Sequence, residues 1–140
     1  MRLALREAAR ATDHDDIPVG AVVVRNGEVI GTGHNERELR ADPTAHAETL
    51  ALRDAARALH SWRVLDSVLY VTLEPCAMCA GAIVLARVPR VVFGAADPKA
   101  GAAGSALEVL AHPALNHRPQ VQSGLLADEC SQLLRAFFAA

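Results

Sequence analysis

Two short polar clusters constrain this chain more than any other feature. They are the runs Thr44-Ala45-His46-Ala47-Glu48 and Leu73-Glu74-Pro75-Cys76-Ala77-Met78-Cys79. Each cluster is predicted to stand at the start of a helix. Alanine, leucine and arginine dominate the residues after the first cluster and favour a helix there. In the second cluster Pro75 is typical of a helix start, where its missing N–H costs nothing. A fold that uses both clusters in one site must therefore bring two helix N-termini together.

The side chains of these clusters suit a hydrolytic metal site. His46, Cys76 and Cys79 offer the nitrogen and sulfur ligands that zinc prefers, and a catalytic zinc keeps three protein ligands and leaves its fourth position to water. Glu48 then remains free to move protons. We predict that His46, Cys76 and Cys79 bind the metal and that Glu48 is the catalytic acid–base.

The spacing within each cluster limits how the site can form. His46 and Glu48 are two residues apart and point about 200° from each other on a regular helix, so they can share a site only where the helix begins. Cys76 and Cys79 lie on one helix face. We expect the positive ends of both helices to lower the thiol pKa and to keep Glu48 ionised.

A purely structural zinc would require a fourth ligand. Cys130 is the only other cysteine, and it falls on the apolar stripe of the last predicted helix, so we expect it in the core. The remaining histidines lack paired spacing and are expected to be surface or buried polar residues: His14, His34, His60, His112 and His117.

Composition narrows the class of protein. The 140 residues, 51% of them hydrophobic, suit one globular domain over residues 1–140. No apolar run approaches the roughly 18 residues of a membrane helix, and we expect no membrane partner. The net charge of −2 argues against nucleic-acid binding through bulk positive charge. Two of the three cysteines in a C-x-x-C, without a signal-peptide pattern, indicate a cytoplasmic protein.

The hydrophobic patterns predict an α/β fold. Asn26-Gly27 predicts a type I′ hairpin, and a helix between the third and fourth strands predicts that these two are parallel. We therefore expect a three-layer α/β/α domain with a mixed sheet of four strands and a short fifth. Predicted strands are 19–24, 29–33, 68–73, 90–94 and 120–122; predicted helices are 2–13, 45–59, 77–86 and the segment from Leu125 to Phe138; a polar loop covers 35–43 and a Gly/Ala-rich loop 95–104.

Several runs give the chain a close resemblance to the bacterial tRNA-specific adenosine deaminases, within the cytidine-deaminase-like superfamily. The H-A-E and P-C-x-x-C clusters indicate the superfamily, whereas Gly101-Ala102-Ala103-Gly104-Ser105 and Asn116-His117-Arg118 point to the tRNA branch. Further runs that carry the resemblance are 17–22, 33–35, 42–48, 70–76, 79–82, 92–95 and 115–118.

The resemblance implies a cytidine-deaminase-like fold and conversion of adenosine to inosine at the wobble position of a tRNA anticodon. It implies a homodimer with one zinc ion per subunit and the tRNA anticodon stem-loop as partner. By similarity Asn35 binds the flipped nucleoside, and the base lies near Val19 and Ala47. The same similarity implies that Asp97 contacts the neighbouring RNA backbone. From the residues alone, Asn35 could instead be a turn residue and Asp97 could form an Asp-Pro turn with Pro98.

Two alternatives remain. The same metal site would serve a deaminase of a free base or nucleoside, of guanine or cytosine type, and only the loop runs favour the tRNA branch. A non-catalytic binding protein is disfavoured because it has no chemical reason to keep Glu48, which is not a predicted ligand.

Related chains often continue past Phe137 and Phe138 into a basic tail, so either this chain is trimmed or it makes fewer RNA contacts.

Overall fold

The computed structural model describes residues 1–140. The helices are α1 (Arg2–Ala11), α2 (Arg37–Arg40), α3 (Ala47–Leu59), α4 (Ala77–Ala86) and α5 (Ala127–Ala139), with a 3₁₀ turn at Thr12–His14. The strands are β1 (Gly20–Arg25), β2 (Glu28–His34), β3 (Ser67–Leu73), β4 (Arg90–Ala95) and β5 (Gln120–Ser123).

The five strands form one mixed sheet in the order β2-β1-β3-β4-β5. β1 is antiparallel to both β2 and β3, and β3-β4 and β4-β5 are parallel, as the helix between β3 and β4 predicts. The predicted hairpin turn is confirmed, since Asn26 and Gly27 both have positive φ, at 51° and 78°.

Helices cover both faces of the sheet, which confirms the three-layer fold. α1 packs on β1 and β2, and α5 packs on β4 and is joined to α1 by an ion pair between Arg2 and Glu129. α3 packs on β1 and β2 from the other face and contacts α4. A Cβ on Gly33 would lie 2.4 Å from the carbonyl oxygen of Ala47. Glycine in β2 therefore lets the start of α3 lie directly on the sheet.

The main core lies between the sheet and the α3–α4 layer. It includes alternate residues of β1 and β4, such as Val23 and Val91, together with Ala51 of α3 and Ile83 of α4. Short alanine side chains dominate the buried face of α3, so the helix axis lies close to the strands. This packing fixes where α3 and α4 begin.

The structure corrects four local predictions. The predicted polar loop 35–43 contains the short helix α2. Pro75 does not occupy the first turn of α4, because Cys76 is the N-cap and the proline precedes it. The last helix begins at Ala127 and not at Leu125, since Leu126 adopts a left-handed backbone with φ of 54°. The apolar pattern of this helix also predicts that Phe138 lies on the buried stripe, but it is 67% exposed.

None of the helices combines the length and the apolar character that crossing a bilayer requires.

Candidate metal centre and substrate cleft

The first cluster forms the beginning of α3. His46 is the N-cap with an extended backbone (φ −83°, ψ 156°), and Glu48 is the second residue of the first turn. Because the chain changes direction at the cap, the imidazole and the carboxylate both reach one cleft. This is the helix-start arrangement that the two-residue spacing predicts.

The second cluster forms the beginning of α4. β3 ends at Leu73, and Cys76 caps the helix with an extended backbone (φ −74°, ψ 177°), so that Cys79 lies in the first turn. Two helix N-termini thus meet beside the carboxyl ends of β2, β3 and β4. Their free N–H groups and dipoles favour negative charge at this edge of the sheet.

Three potential ligands lie close together. The Nδ1 atom of His46 is 3.6 Å from the Sγ of Cys76 and 3.5 Å from the Sγ of Cys79. All three ligand atoms lie within 4.8 Å of one another. Cys130 is elsewhere, a residue of α5 that is 1% exposed and packs against β4, where Gly94 leaves room for its sulfur. The structure therefore holds one His/Cys/Cys group able to bind a metal ion.

The two thiols are electrostatically unequal. Hydrogen bonds from the Cys79 thiol and from His46 lower the pKa of Cys76 to about 3. Sharing a proton with the Cys76 thiolate, together with burial, raises the pKa of Cys79 above its ordinary value. The hydrogen bond to Cys76 also raises the pKa of His46. The group thus concentrates negative charge at Cys76, which is the charge that a cation requires.

Glu48 lies deep beside this group and is only 4% exposed. Burial raises its pKa to about 7, and the nearby Cys76 thiolate acts in the same direction. Our expectation that the helix terminus keeps it ionised is thus wrong for the protein without bound metal, because desolvation outweighs the helix dipole. A carboxyl group with this pKa accepts and releases protons readily near neutral pH.

His46, Glu48 and Cys76 line a cleft of about 190 Å³, far more than the roughly 10–15 Å³ that one water requires. All four residues assigned to substrate by resemblance line this cleft: Val19, Asn35, Ala47 and Asp97. Five lining residues were not singled out as site residues by sequence reasoning: Ile17, Arg37, Leu73, Glu74 and Ala100. Of these, Leu73 and Glu74 belonged to a recognised cluster, where their positions before Pro75 gave no indication of a role of their own.

The alternative turn roles of Asn35 and Asp97 are also present. The Asn35 amide donates to the carbonyl of Ile17 at 3.2 Å and accepts from the N–H of Arg37 at 3.1 Å. An asparagine amide still has one N–H and one lone pair after these bonds. The Asp97 carboxylate accepts from the N–H groups of Lys99 and Ala100, as in an Asx turn. Each residue thus shapes its loop and also borders the cleft.

Comparison with known proteins defines the class first. The model of the MafB19-like deaminase family matches residues 1–140. With the α/β/α fold and the His/Cys/Cys group, this match makes the protein a deaminase.

More similar relatives define the family. The tRNA-specific adenosine deaminase of Bacillus subtilis is 49% identical over 138 residues, which cover 99% of this chain and 86% of the relative. That of Haemophilus influenzae is 51% identical over 139 residues, covering 99% and 80%. The chain belongs to the family of tRNA-specific adenosine deaminases.

Solved structures agree with this assignment. A structure from work on A-to-I editing by tRNA:A34 deaminases at the wobble position superposes with a TM-score of 0.92 at 46% identity, covering 96% of this chain and 97% of that one. A guanine deaminase from Bacillus subtilis superposes with a TM-score of 0.66 at 32% identity, covering 99% and 91%. The similarity to a wobble deaminase is thus greater than the similarity to this free-base deaminase.

Proposed function

We propose that this protein hydrolytically deaminates adenosine to inosine at the wobble position of a tRNA anticodon. One zinc ion per subunit is held by His46, Cys76 and Cys79, and Glu48 moves the protons. The observation that carries the proposal is the placement of Glu48 beside the cluster of His46, Cys76 and Cys79, with His46, Glu48 and Cys76 lining the cleft.

The ligand spacing supports zinc. A tetrahedral zinc with bonds of about 2.0–2.1 Å to nitrogen and about 2.3 Å to sulfur separates its nitrogen and sulfur ligands by about 3.6 Å. The two distances from the His46 nitrogen to sulfur are 3.6 and 3.5 Å. Two soft thiolates with one imidazole also disfavour magnesium and calcium, which prefer oxygen ligands.

Glu48 is placed to perform the proton transfers. When bound, zinc would acidify a water so that it attacks the ring carbon carrying the amine. Glu48 accepts the proton that this water loses and donates it to the adjacent ring nitrogen. Glu48 then takes the second proton from the hydroxyl group newly attached to the ring carbon and gives it to the amine, so that the carbon–nitrogen bond breaks, ammonia leaves and the carbonyl of inosine forms. Its burial among apolar and metal-ligating side chains keeps bulk water from competing as the proton donor.

The cleft supports a flipped nucleoside as substrate. Asn35 retains one donor and one acceptor for a polar edge of the substrate, and Val19 and Ala47 supply apolar surface. Asp97 lies at the edge of the cleft, where the neighbouring RNA backbone would pass. A base from an anticodon loop costs less to extrude than a paired base, which suits a site that takes up an unstacked nucleoside.

An exposed apolar surface supports a homodimer. α4 consists of apolar residues around its whole circumference, and its Leu85 is 70% exposed. A groove between α3 and α4 continues this surface to Trp62, which is 58% exposed. A helix that is apolar all round is normally covered on every side. We expect light scattering to give twice the mass of one chain, and Leu85→Arg to give the mass of a single chain.

Two further assignments follow from the proposal. The 140 residues act as one zinc-dependent deaminase domain, because all five strands form a single sheet and the helices pack around it. The protein works in the cytoplasm, where its tRNA substrate is found and its three free cysteines stay reduced.

The test is a deamination assay on an anticodon stem-loop with adenosine at the wobble position. Free adenosine, guanine and cytidine are assayed in parallel. We expect inosine from the stem-loop and no turnover of the free compounds. Turnover of guanine alone would instead assign the protein to the free-base activity of the guanine deaminases that share the fold.

A further inference from the structure

We infer that Glu74 is a positioning residue that holds the wall of the substrate cleft formed by residues 97–105. This inference deepens the proposed function and rests on it. Glu74 is only 2% exposed although it carries a carboxyl group. A buried carboxylate is costly unless it is fully hydrogen-bonded, so its partners show what it stabilises.

Every hydrogen bond that the Glu74 carboxylate accepts comes from this wall. One oxygen accepts from the N–H of Asp97 at 3.1 Å, and from the hydroxyl of Ser105. The other accepts from the N–H of Ala103 at 2.9 Å and from the N–H of Ser105 at 3.1 Å. An ionised carboxylate has about four lone-pair sites, so these four hydrogen bonds satisfy it. The carboxylate thus holds Asp97, Ala103 and Ser105 around one point.

Gly101 shows how closely the segment wraps around this side chain. A Cβ at this position would lie 2.3 Å from the carboxyl carbon of Glu74 and 2.5 Å from both oxygens. Backbone bonds hold the same region, since Ala102 donates to the carbonyl of Pro75 at 2.7 Å and Gly101 donates to the carbonyl of Asp97 at 2.9 Å. The Gly-Ala-Ala-Gly-Ser run therefore packs directly against the Glu74 carboxylate and donates three of its four hydrogen bonds.

The position of Glu74 in the chain connects the wall to the metal centre. Glu74 lies two residues before Cys76, and its own N–H donates to the carbonyl of Ala95 at 2.8 Å. Asp97 and Ala100 of the wall line the same cleft as His46 and Cys76. Glu74 thus fixes the distance between the wall that borders the substrate and the strand end that carries the ligand.

Glu74→Gln tests this role with little change of shape. The amide replaces one acceptor oxygen by an NH₂ group that faces N–H donors, which leaves at least one buried donor without a partner. We expect KM for the stem-loop to rise about tenfold or more, a smaller change in kcat, and one zinc per subunit retained. Hydrogen exchange should accelerate at the amides of residues 97, 103 and 105.

Two further variants complete the design. Glu28→Gln changes an exposed carboxylate at the start of β2, outside the wall and the cleft, and should match the wild type in both readouts. Ser105→Ala removes one of the four donors and should raise KM less than Glu74→Gln. The double variant Glu74→Gln/Ser105→Ala should show less than the product of the two single effects, because both changes break the same contact.

The outcomes separate the two proposals. If the wild type does not deaminate the stem-loop, the proposed function fails, and the exchange rates alone decide the role of Glu74. If the wild type is active and Glu74→Gln has unchanged KM and unchanged exchange, the inference is overturned. Loss of zinc by Glu74→Gln with normal exchange in 97–105 would also overturn it. If Glu74→Gln does not fold, Ser105→Ala decides, and a wild-type KM with wild-type exchange contradicts the inference.

Discussion

The raised pKa of Glu48 predicts that Glu48→Gln stabilises the protein when metal has been removed by a chelator. The pKa is raised from 4.5 to about 7, chiefly by burial, so ionising this group in the folded protein costs about 3 kcal/mol relative to the unfolded chain. Because the folded pKa lies above the unfolded value, this cost is absent below about pH 4.5 and complete above about pH 7. Glutamine has nearly the same shape and carries no charge at any pH.

Urea unfolding of both chelator-treated proteins at pH 4.5 and pH 8 measures this effect. We expect a free-energy difference near zero at pH 4.5, and at pH 8 an advantage for Glu48→Gln of at most about 3 kcal/mol. The lowered pKa of Cys76 keeps it ionised and the raised pKa of Cys79 keeps it protonated at both pH values, so neither thiol titrates in the folded state between them. A difference that does not change between the two pH values would refute the reasoning from burial.

Two other predictions concern stability and metal binding. Cys79→Ala removes a predicted ligand and a buried side chain, so bound zinc by elemental analysis and the melting temperature should fall together; full zinc occupancy would count against the ligand set. For Asp16, burial disfavours the charged form, but the N–H groups of Glu38 and Leu39 and the His14 ring outweigh it and hold the pKa below its ordinary value. Asp16→Asn should therefore lose stability that the wild type holds above about pH 4, and the two urea midpoints should converge as the pH falls through the lowered pKa. A pH-independent difference would show that this ionisation contributes nothing.

Local sequence signals predicted the parts of the fold that depend on local chemistry. The Asn26-Gly27 turn follows from backbone sterics, and the start of α3 at His46 follows from the need to bring two residues of one run to one site. The parallel pairing of β3 and β4 follows from the helix between them. These features need no knowledge of distant residues.

Features that depend on distant partners could not be predicted in the same way. α2 forms in a run that looks like loop because the carboxylate of Asp16 accepts the N–H groups of Glu38 and Leu39, at 2.7 and 3.1 Å. Glu74 likewise acts on residues more than twenty positions away. The pairing of a buried carboxylate with backbone donors depends on the tertiary fold, and the sequence carries no periodic signal for it.

The loop runs that indicated the tRNA branch also have structural roles. His117 hydrogen-bonds the carbonyl of Val88 at 2.7 Å, and Arg118 donates to the carbonyls of Pro113 and Leu115. These contacts hold the chain between β4 and β5. Residues that are typical of the tRNA branch can thus serve to shape a loop. For this reason their presence in the sequence does not identify which of them contact RNA.

In the proposed mechanism Glu48 moves protons beside a zinc ion that His46, Cys76 and Cys79 hold. The most direct measurement is the single-turnover rate of inosine formation in the anticodon stem-loop by the wild type and by Glu48→Ala, with zinc quantified in both. We expect equal zinc content and a rate that falls at least about 10²–10⁴-fold in the variant. A variant that retains zinc and forms inosine at the wild-type rate would contradict the account.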